Sequence, residues 1–203
     1  NRIDNIFLFN GITALLGWNA ALGSFDYFQA IYKDENVFLY FPVPVFISYG
    51  ITGVLFYYIS KAISYRKLVI SGIIGVSFSL SILLVLSLIF KDNLVTGYWI
   101  SLFVLCALGF SANMTQLSFF AMINYFGKEA VSKFVIGTAA SGLLIMLVRA
   151  ALTGIYGAGK PDNIAPIAIY LGITIAFNIF DMYLNFKLFQ TNKKKKKMEK
   201  KNT

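Results

Sequence analysis

The sequence predicts an all-α membrane protein with six spanning helices, and three observations lead to that prediction. Of the 203 residues, 58% are hydrophobic and 13% are charged, whereas an average soluble domain carries roughly 25% charged residues. The charged residues are separated by long apolar runs. The sequence also lacks the alternating ten-residue segments that are typical of a membrane β-barrel.

The apolar runs are each long enough to cross a bilayer. A spanning helix needs about 20 apolar residues at a rise of about 1.5 Å each. Because lipid cannot satisfy an open backbone, these runs are expected to be helical. Two of them contain a single charge, Arg149 in the fifth and Asp181 in the sixth. The predicted spans lie near 6–25, 37–60, 68–90, 98–126, 132–153 and 164–188.

The net charge of +9 is explained by membrane topology rather than by a nucleic-acid partner. With the N-terminus in the cytoplasm, fourteen Lys and Arg residues fall on the cytoplasmic side and three fall outside, with Arg149 left in the membrane. This bias follows the positive-inside rule. Both ends are therefore expected to be cytoplasmic, and the plasma membrane is the expected location. Residues 191–203 begin a lysine-rich loop that is expected to be disordered.

No catalytic or metal-binding chemistry is expected. The sequence has no histidine and one cysteine, Cys106, so it offers no zinc site and no nucleophile–base pair. The stretch from Gly154 to Lys160 matches the start of a phosphate loop, but Pro161 follows where Ser or Thr is needed to hold magnesium. We expect a protein that is not an enzyme and that needs neither a cofactor nor a metal ion.

Polar side chains within the spans are the candidate functional residues, because they are costly in lipid and usually face protein or water. In the fourth span, Asn113, Gln116 and Asn124 fall on one helical stripe with Phe120 between them. A second stripe, nearly opposite, holds Ser111, Thr115 and Ser118. Two interpretations stay open: the stripes only bond to other helices, or one of them lines a cavity.

The first span carries Trp18 and Asn19. Tryptophan usually lies at the membrane interface, but Trp18 lies about 10 Å inside the outer end of its span. A buried indole suits stacking against a flat ligand, and plain packing is the alternative. In the fifth span, the small residues Gly137, Ser141 and Gly142 favour close helix packing over a hinge.

The charges inside the membrane call for partners, since an unpaired one costs at least ~2.5 kcal/mol. Arg149 lies at the depth of Asp26, so we expect Asp26 or backbone carbonyls to neutralise it. Asp181 lies toward the cytoplasmic end of its span, on one face with Asn178 and Asn185. It is a candidate proton relay or, alternatively, part of a helix interface.

Several short motifs resemble those of the equilibrative nucleoside transporters. They are Leu15-Leu16-Gly17-Trp18-Asn19 followed by Tyr27-Phe28, then Gln116-Leu117-Ser118-Phe119, Gly137 with Gly142, and Arg149 with Thr153. The sequence departs from the family pattern where Gly17 replaces a proline, where Leu117 and Ala139 replace glycines, and where Phe119 comes one position early. The resemblance covers the whole chain, and the motifs that carry it lie between Leu15 and Thr153.

The resemblance implies the N-terminal half of an eleven-span transporter, a bundle similar to that of the major-facilitator type. It implies passage of nucleosides or nucleobases by alternating access, with a C-terminal five-helix half as partner. Trp18 would stack on the base and Gln116 would bond to its polar edge. Around these two, the implied substrate site includes Leu15, Asn19, Asn113 and Phe120. The alternatives are a transporter of another small solute and a non-transporting scaffold or partial gene product.

Overall fold

The computed structural model describes residues 2–90, 93–156 and 164–199, with side chains given for 5–86, 88–90, 93–156 and 164–188. Within these ranges the regular structure is helical, without strands. The eight helices are α1 (Arg2–Gly23), α2 (Phe25–Ile31), α3 (Val37–Tyr40), α4 (Pro42–Ala62), α5 (Tyr65–Ile89), α6 (Leu94–Ile123), α7 (Lys128–Tyr156) and α8 (Ala165–Glu199).

Six helical segments are long and apolar enough to cross a membrane. The predictions of an all-α chain and of six such segments are confirmed, and most of the predicted edges differ by a few residues. The chain therefore has the helices of a multi-pass membrane protein. The segments are Asn5–Ile31, Val37–Ala62, Tyr65–Leu86, Leu94–Ile123, Lys128–Tyr156 and Ala165–Leu188.

The connection after the first span is shorter than the sequence suggests, because it contains α2. Phe25 and Phe28 are buried, so this short helix adds to the core instead of looping through solvent. The turn that follows is held by Gln29, whose amide donates to the Glu35 carbonyl at 2.7 Å and accepts from the Val37 N–H at 2.9 Å. Only residues 32–36 separate α2 from α3.

The last described helix extends into the lysine-rich end of the chain. Residues 191–199 continue α8 as far as Glu199, and the expectation of disorder over 191–203 stays a prediction. Lysine and glutamate are good helix formers, so a helix that is already formed can extend through them. Residues 200–203 lie outside the described ranges, as do residues 157–161 at the end of the glycine-containing stretch 154–160, whose first three residues belong to α7.

Two helices, α1 and α6, lie at the centre of the bundle. α7 packs on α1, and α4 packs on α6. α5 and α8 pack on each other and cover one side of the central pair. The two ends of the bundle are named here by a residue: the Asp26 end holds α2, and the Arg66 end holds the connections at 63–64 and 124–127.

The backbones of α1 and α7 pack directly against each other where Gly11 lies against Gly137. A methyl group on Gly137 would collide with the Leu8 carbonyl oxygen, and one on Gly11 would collide with the Phe134 carbonyl oxygen. Two backbones can approach this closely only where neither residue has a side chain. Gly142 is different, because its nearest neighbour for an added methyl is Asn19 Nδ2 at 3.8 Å, an ordinary contact.

The second polar stripe of α6 packs against glycines of α5. A methyl group on Gly72 would collide with Thr115 Oγ1, and one on Gly75 would collide with Ser111 Oγ. Thr115 donates to the Ser111 carbonyl at 2.9 Å, so its hydroxyl is satisfied within its own helix. This stripe therefore serves helix packing.

Gly137→Ala is expected to lower the stability of the bundle by about 1–3 kcal/mol, because the added methyl forces α1 and α7 apart. Thermal unfolding in detergent measures the effect. Gly53→Ala is the matched control, since an added methyl there meets nothing within 4 Å. Equal melting temperatures for the two variants would show that the glycine contact does not hold α1 to α7.

Candidate functional site

The central helices α1 and α6 run antiparallel, and a narrow void between them fixes their relative depth. The void is lined by Ala14 and Gly17 of α1 and by Ala112 and Thr115 of α6, together with residues of α5 and α8. In an antiparallel pair, the residue order along one helix is reversed in the other. Gly17 therefore lies at the depth of Ala112, and Ala14 at the depth of Thr115.

Four of the predicted binding residues each come one position later in the sequence than a residue that lines the void. Leu15 and Trp18 follow on α1, and Asn113 and Gln116 follow on α6. Moving one residue along a helix turns the side-chain direction by about 100°. In two antiparallel helices that face each other, this step turns both side chains toward the same side of the pair. These four residues, named here the Trp18 face, therefore point away from α5 and α8 toward the side flanked by α4 and α7.

Contacts with α4 support this placement. The Trp18 ring meets Phe46 edge-on, with ring centroids 5.5 Å apart, and meets Phe25 at 6.2 Å. Asn113 Nδ2 donates to the Tyr49 carbonyl at 2.8 Å. Trp18 is half-buried, so its indole is held in place by aromatic edges and is still partly open. Such edge-to-face contacts orient a ring without covering it completely.

Gln116 is the polar group of this face without a protein partner. Its side chain is half-buried and makes no hydrogen bond to any residue in the described part of the chain. Asn113, one turn away on α6, donates from its amide nitrogen to the backbone of α4. Gln116 thus offers both an amide donor and an amide acceptor to a bound molecule.

Two other predicted site residues lie on neighbouring contacts. Asn19 Nδ2 donates to Ser141 Oγ at 3.0 Å, so its amide joins α1 to α7. Phe120, which lies further along α6 toward the Arg66 end, meets Phe134 of α7 edge-on at 5.0 Å. Asn124, also on the predicted stripe, is exposed at the end of α6.

The sequence did not single out the residues that α4 contributes. Phe46 is exposed on one side and contacts Trp18 on the other, and the buried Tyr49 hydroxyl has no hydrogen-bond partner in the described structure. In a chain with 20 Phe and 12 Tyr, one aromatic residue in an apolar run carries no distinguishing signal. Only the register between α4 and α1 identifies these two.

At the Asp26 end, the structure pairs the two charges whose depths agree. Arg149 of α7 forms an ion pair with Asp26 of α2, and their side chains are 35% and 42% exposed. Nearby, the Tyr170 hydroxyl donates to the Asn19 carbonyl at 3.4 Å. The ion pair therefore links α7 to the end of the first span, beside the start of α8.

Asp181 lies far from this pair, on the opposite side of α1 from the Trp18 face. Its side chain is fully buried between α8 and α1, beside Asn10 and Asn185. No group of three or more His, Cys, Asp or Glu residues that could hold a metal ion occurs in the described ranges. Asp181 is therefore an isolated acidic group among amides.

Neither a protein-family model, nor a curated protein, nor a solved structure matches the chain.

A double-mutant cycle tests the ion pair. Arg149→Ala and Asp26→Ala are each expected to lower the melting temperature in detergent, and the double variant to lose less than their sum. Because both side chains are partly exposed, the coupling energy is expected to be about 1 kcal/mol or less. The control pairs Asp26→Ala with Lys33→Ala, an exposed cation at the same end, and is expected to be additive. Additivity in both cycles would show that Arg149 is neutralised by other groups.

Proposed function

We propose that the chain is the N-terminal half of a transporter that carries nucleosides or nucleobases across a membrane by alternating access. The observation that carries the proposal is the Trp18 face, where a half-buried indole and an amide that has no protein partner lie on the same side of the α1–α6 pair. A nucleobase is a flat ring with a polar edge. Stacking on Trp18 and hydrogen bonding to Gln116 would use both features.

The surroundings of Gln116 favour a polar partner over lipid. An amide removed from water without a hydrogen bond costs roughly 2–7 kcal/mol, so a lipid-facing Gln116 would destabilise the bundle. A second helical bundle placed over α4 and α7 would enclose the Trp18 face and leave a cavity there. We propose the C-terminal five-helix half of a major-facilitator-like transporter as that bundle.

The flanking helices have the surfaces that such an arrangement needs. α7 is the least buried of the six candidate spans, with 17% of its apolar 18-residue stretch buried. The span that contains α4 follows with 28%. Large apolar side chains on both are exposed, among them Leu143 and Met146 on α7 and Phe46 and Ile51 on α4. Lipid and a second bundle can each cover such residues, so the polar Gln116 between them favours the bundle.

We further propose that the Arg66 end faces the cytoplasm of a cell whose plasma membrane holds the protein. Basic residues cluster at that end: Lys61, Arg66, Lys67, Lys128 and Lys133 lie there, whereas Lys33 lies at the Asp26 end. Positive charge retained on the cytoplasmic side sets the orientation of membrane proteins.

Uptake of labelled adenosine by the full-length protein in vesicles tests the proposal. Trp18→Ala and Gln116→Ala are each expected to weaken uptake. A ligand hydrogen bond contributes about 0.5–1.5 kcal/mol, so Gln116→Ala is expected to raise the apparent Kd by roughly 2- to 13-fold. Asn124→Ala is the matched control, because this amide is exposed at the end of the same stripe.

Competition by unlabelled solutes separates the alternatives. Adenosine or hypoxanthine should displace the label if the substrate is a nucleoside or nucleobase. Uptake of an unrelated solute that depends on Trp18 and Gln116 would indicate a different transporter on the same bundle. If neither substitution changed uptake of any solute, a non-transporting scaffold would be the better interpretation.

A further inference from the structure

A second polar region, separate from the Trp18 face, lies where α8 packs on α1 and α5. Five buried residues of α8 recur every three or four positions along one side of the helix: Tyr170, Thr174, Asn178, Asp181 and Asn185. Asn185 bonds across to Asn10 of α1, and Asn178 Nδ2 donates to Ser77 Oγ of α5 at 3.1 Å. This region, named here the Asp181 seam, is held by amides and contains one carboxyl group.

The amide contacts around Asp181 fix the orientation of Asn185. Asn185 Nδ2 donates to the Asp181 backbone carbonyl at 2.9 Å, and a carbonyl can only accept. The same nitrogen donates to Asn10 Oδ1 at 2.8 Å, while Asn10 Nδ2 donates back to Asn185 Oδ1 at 3.2 Å. The two amides therefore form a reciprocal pair whose donors and acceptors all match.

This pairing brings two oxygens together. Asn10 Oδ1 lies 2.9 Å from Asp181 Oδ1, a hydrogen-bond distance between groups that can both only accept if the carboxyl is ionised. Turning the Asn10 amide over would let its NH₂ group donate to Asp181 Oδ1 at 2.9 Å and to the Ile6 carbonyl at 3.2 Å. It would also put that group 2.8 Å from the NH₂ group of Asn185, with two donors facing each other. A hydrogen on Asp181 Oδ1 resolves the conflict, because it donates to Asn10 Oδ1 and leaves the reciprocal amide pair intact.

The surroundings offer no positive charge to stabilise an ionised carboxylate. Asp181 is fully buried, its Oδ2 has no hydrogen-bond partner, and no basic residue of the described ranges forms an ion pair with it. Asn178 Oδ1, in the same seam, is also buried without a partner, and the Thr13 hydroxyl is a neutral side-chain donor beside the Asp181 carboxyl. An isolated buried carboxylate is so costly that the group takes up a proton instead.

Charged groups on the helices packed against α8 lie near the ends of those helices. On α5, the Arg66 guanidinium lies over the Phe186 ring at 5.2 Å. On α7, Lys133 donates to Asn5 Oδ1 at 2.9 Å, and Arg149 pairs with Asp26 at the other end. α1 has no titratable residue between Asn5 and Gly23. On α8 itself, Tyr183 and Lys187 are exposed, and Tyr170 lies toward the Asp26 end.

We propose that Asp181 is a proton-binding site within the membrane, protonated on Oδ1 and hydrogen-bonded to Asn10 while α1 and α8 are packed together. The void beside the seam, lined in part by Thr13 and Asn178, is too narrow to admit water, so no water from this void solvates an ionised carboxylate in the packed seam. When α1 and α8 separate and water enters, the O–H bond breaks, the proton passes to water, and the carboxylate remains. This site is independent of the proposed substrate.

Infrared spectroscopy of the chain in lipid vesicles at neutral pH tests the proposal without any solute. A protonated carboxylic acid has its own carbonyl stretching band, which is expected in the unmodified chain and expected to be lost in Asp181→Asn. This substitution keeps the shape of the side chain and its capacity to donate to Asn10. Glu129→Gln removes an exposed carboxyl group and is expected to leave the band unchanged.

Isotopic labelling supplies a second measurement that needs no substitution. Carbon-13 aspartate in the unmodified chain is expected to shift the band, and carbon-13 glutamate is expected to leave it in place, even if Asp181→Asn did not fold. Absence of the band from the unmodified chain, or its persistence in folded Asp181→Asn, would overturn the proposal. A carboxylate band that responds to sodium would also overturn it, in favour of a metal-cation site.

Discussion

Lipid cannot hydrogen-bond to polar side chains, and this constraint organises the bundle. Several polar side chains within the predicted spans are matched by another group of the protein: Asn19 by Ser141, Asn113 by the Tyr49 carbonyl, Asn178 by Ser77, Asn185 by Asn10, and Arg149 by Asp26. These matches are what join one helix to the next. Against that background, an amide such as Gln116 that has no match stands out, and it directs attention to the Trp18 face.

Helix α1 meets this constraint differently on each of its sides. Toward α7 it presents Gly11, so that the two backbones touch. Toward α8 it presents Asn10 and the Asp181 seam, and toward α4 it presents Trp18. Since one helix carries all three surfaces, a rotation of α1 would disturb the glycine contact, the seam and the Trp18 face together. The candidate site therefore depends on the seam on the far side of the helix and on the glycine contact about two turns along its own side.

Much of the fold could be predicted from the sequence, because hydrocarbon thickness sets the length of an apolar run and charges mark its ends. The pairing of Arg149 with Asp26 could be anticipated for the same reason, since depth follows from distance along a helix. Contacts that depend on rotation were harder to predict. Gly137 and Gly142 are about 140° apart around α7, so only Gly137 lies at the backbone contact, and its partner Gly11 carried no signal of its own. Asn19 faces α7 and not the Trp18 face. The sequence does not show which helix packs beside Asn19, so this orientation could not be predicted.

The burial of α1 has a consequence for how the chain is made. The apolar stretch of this first span is the most buried of the six, at 56%, and has the lowest mean hydropathy, 1.4. Its neighbours in the finished bundle are mostly protein. Of these six segments, however, it is the first to leave the ribosome, before α6, α7 and α8 exist to cover it. This segment is apolar enough to cross a membrane by itself, but its contacts with α6, α7 and α8 can form only after those helices have been made.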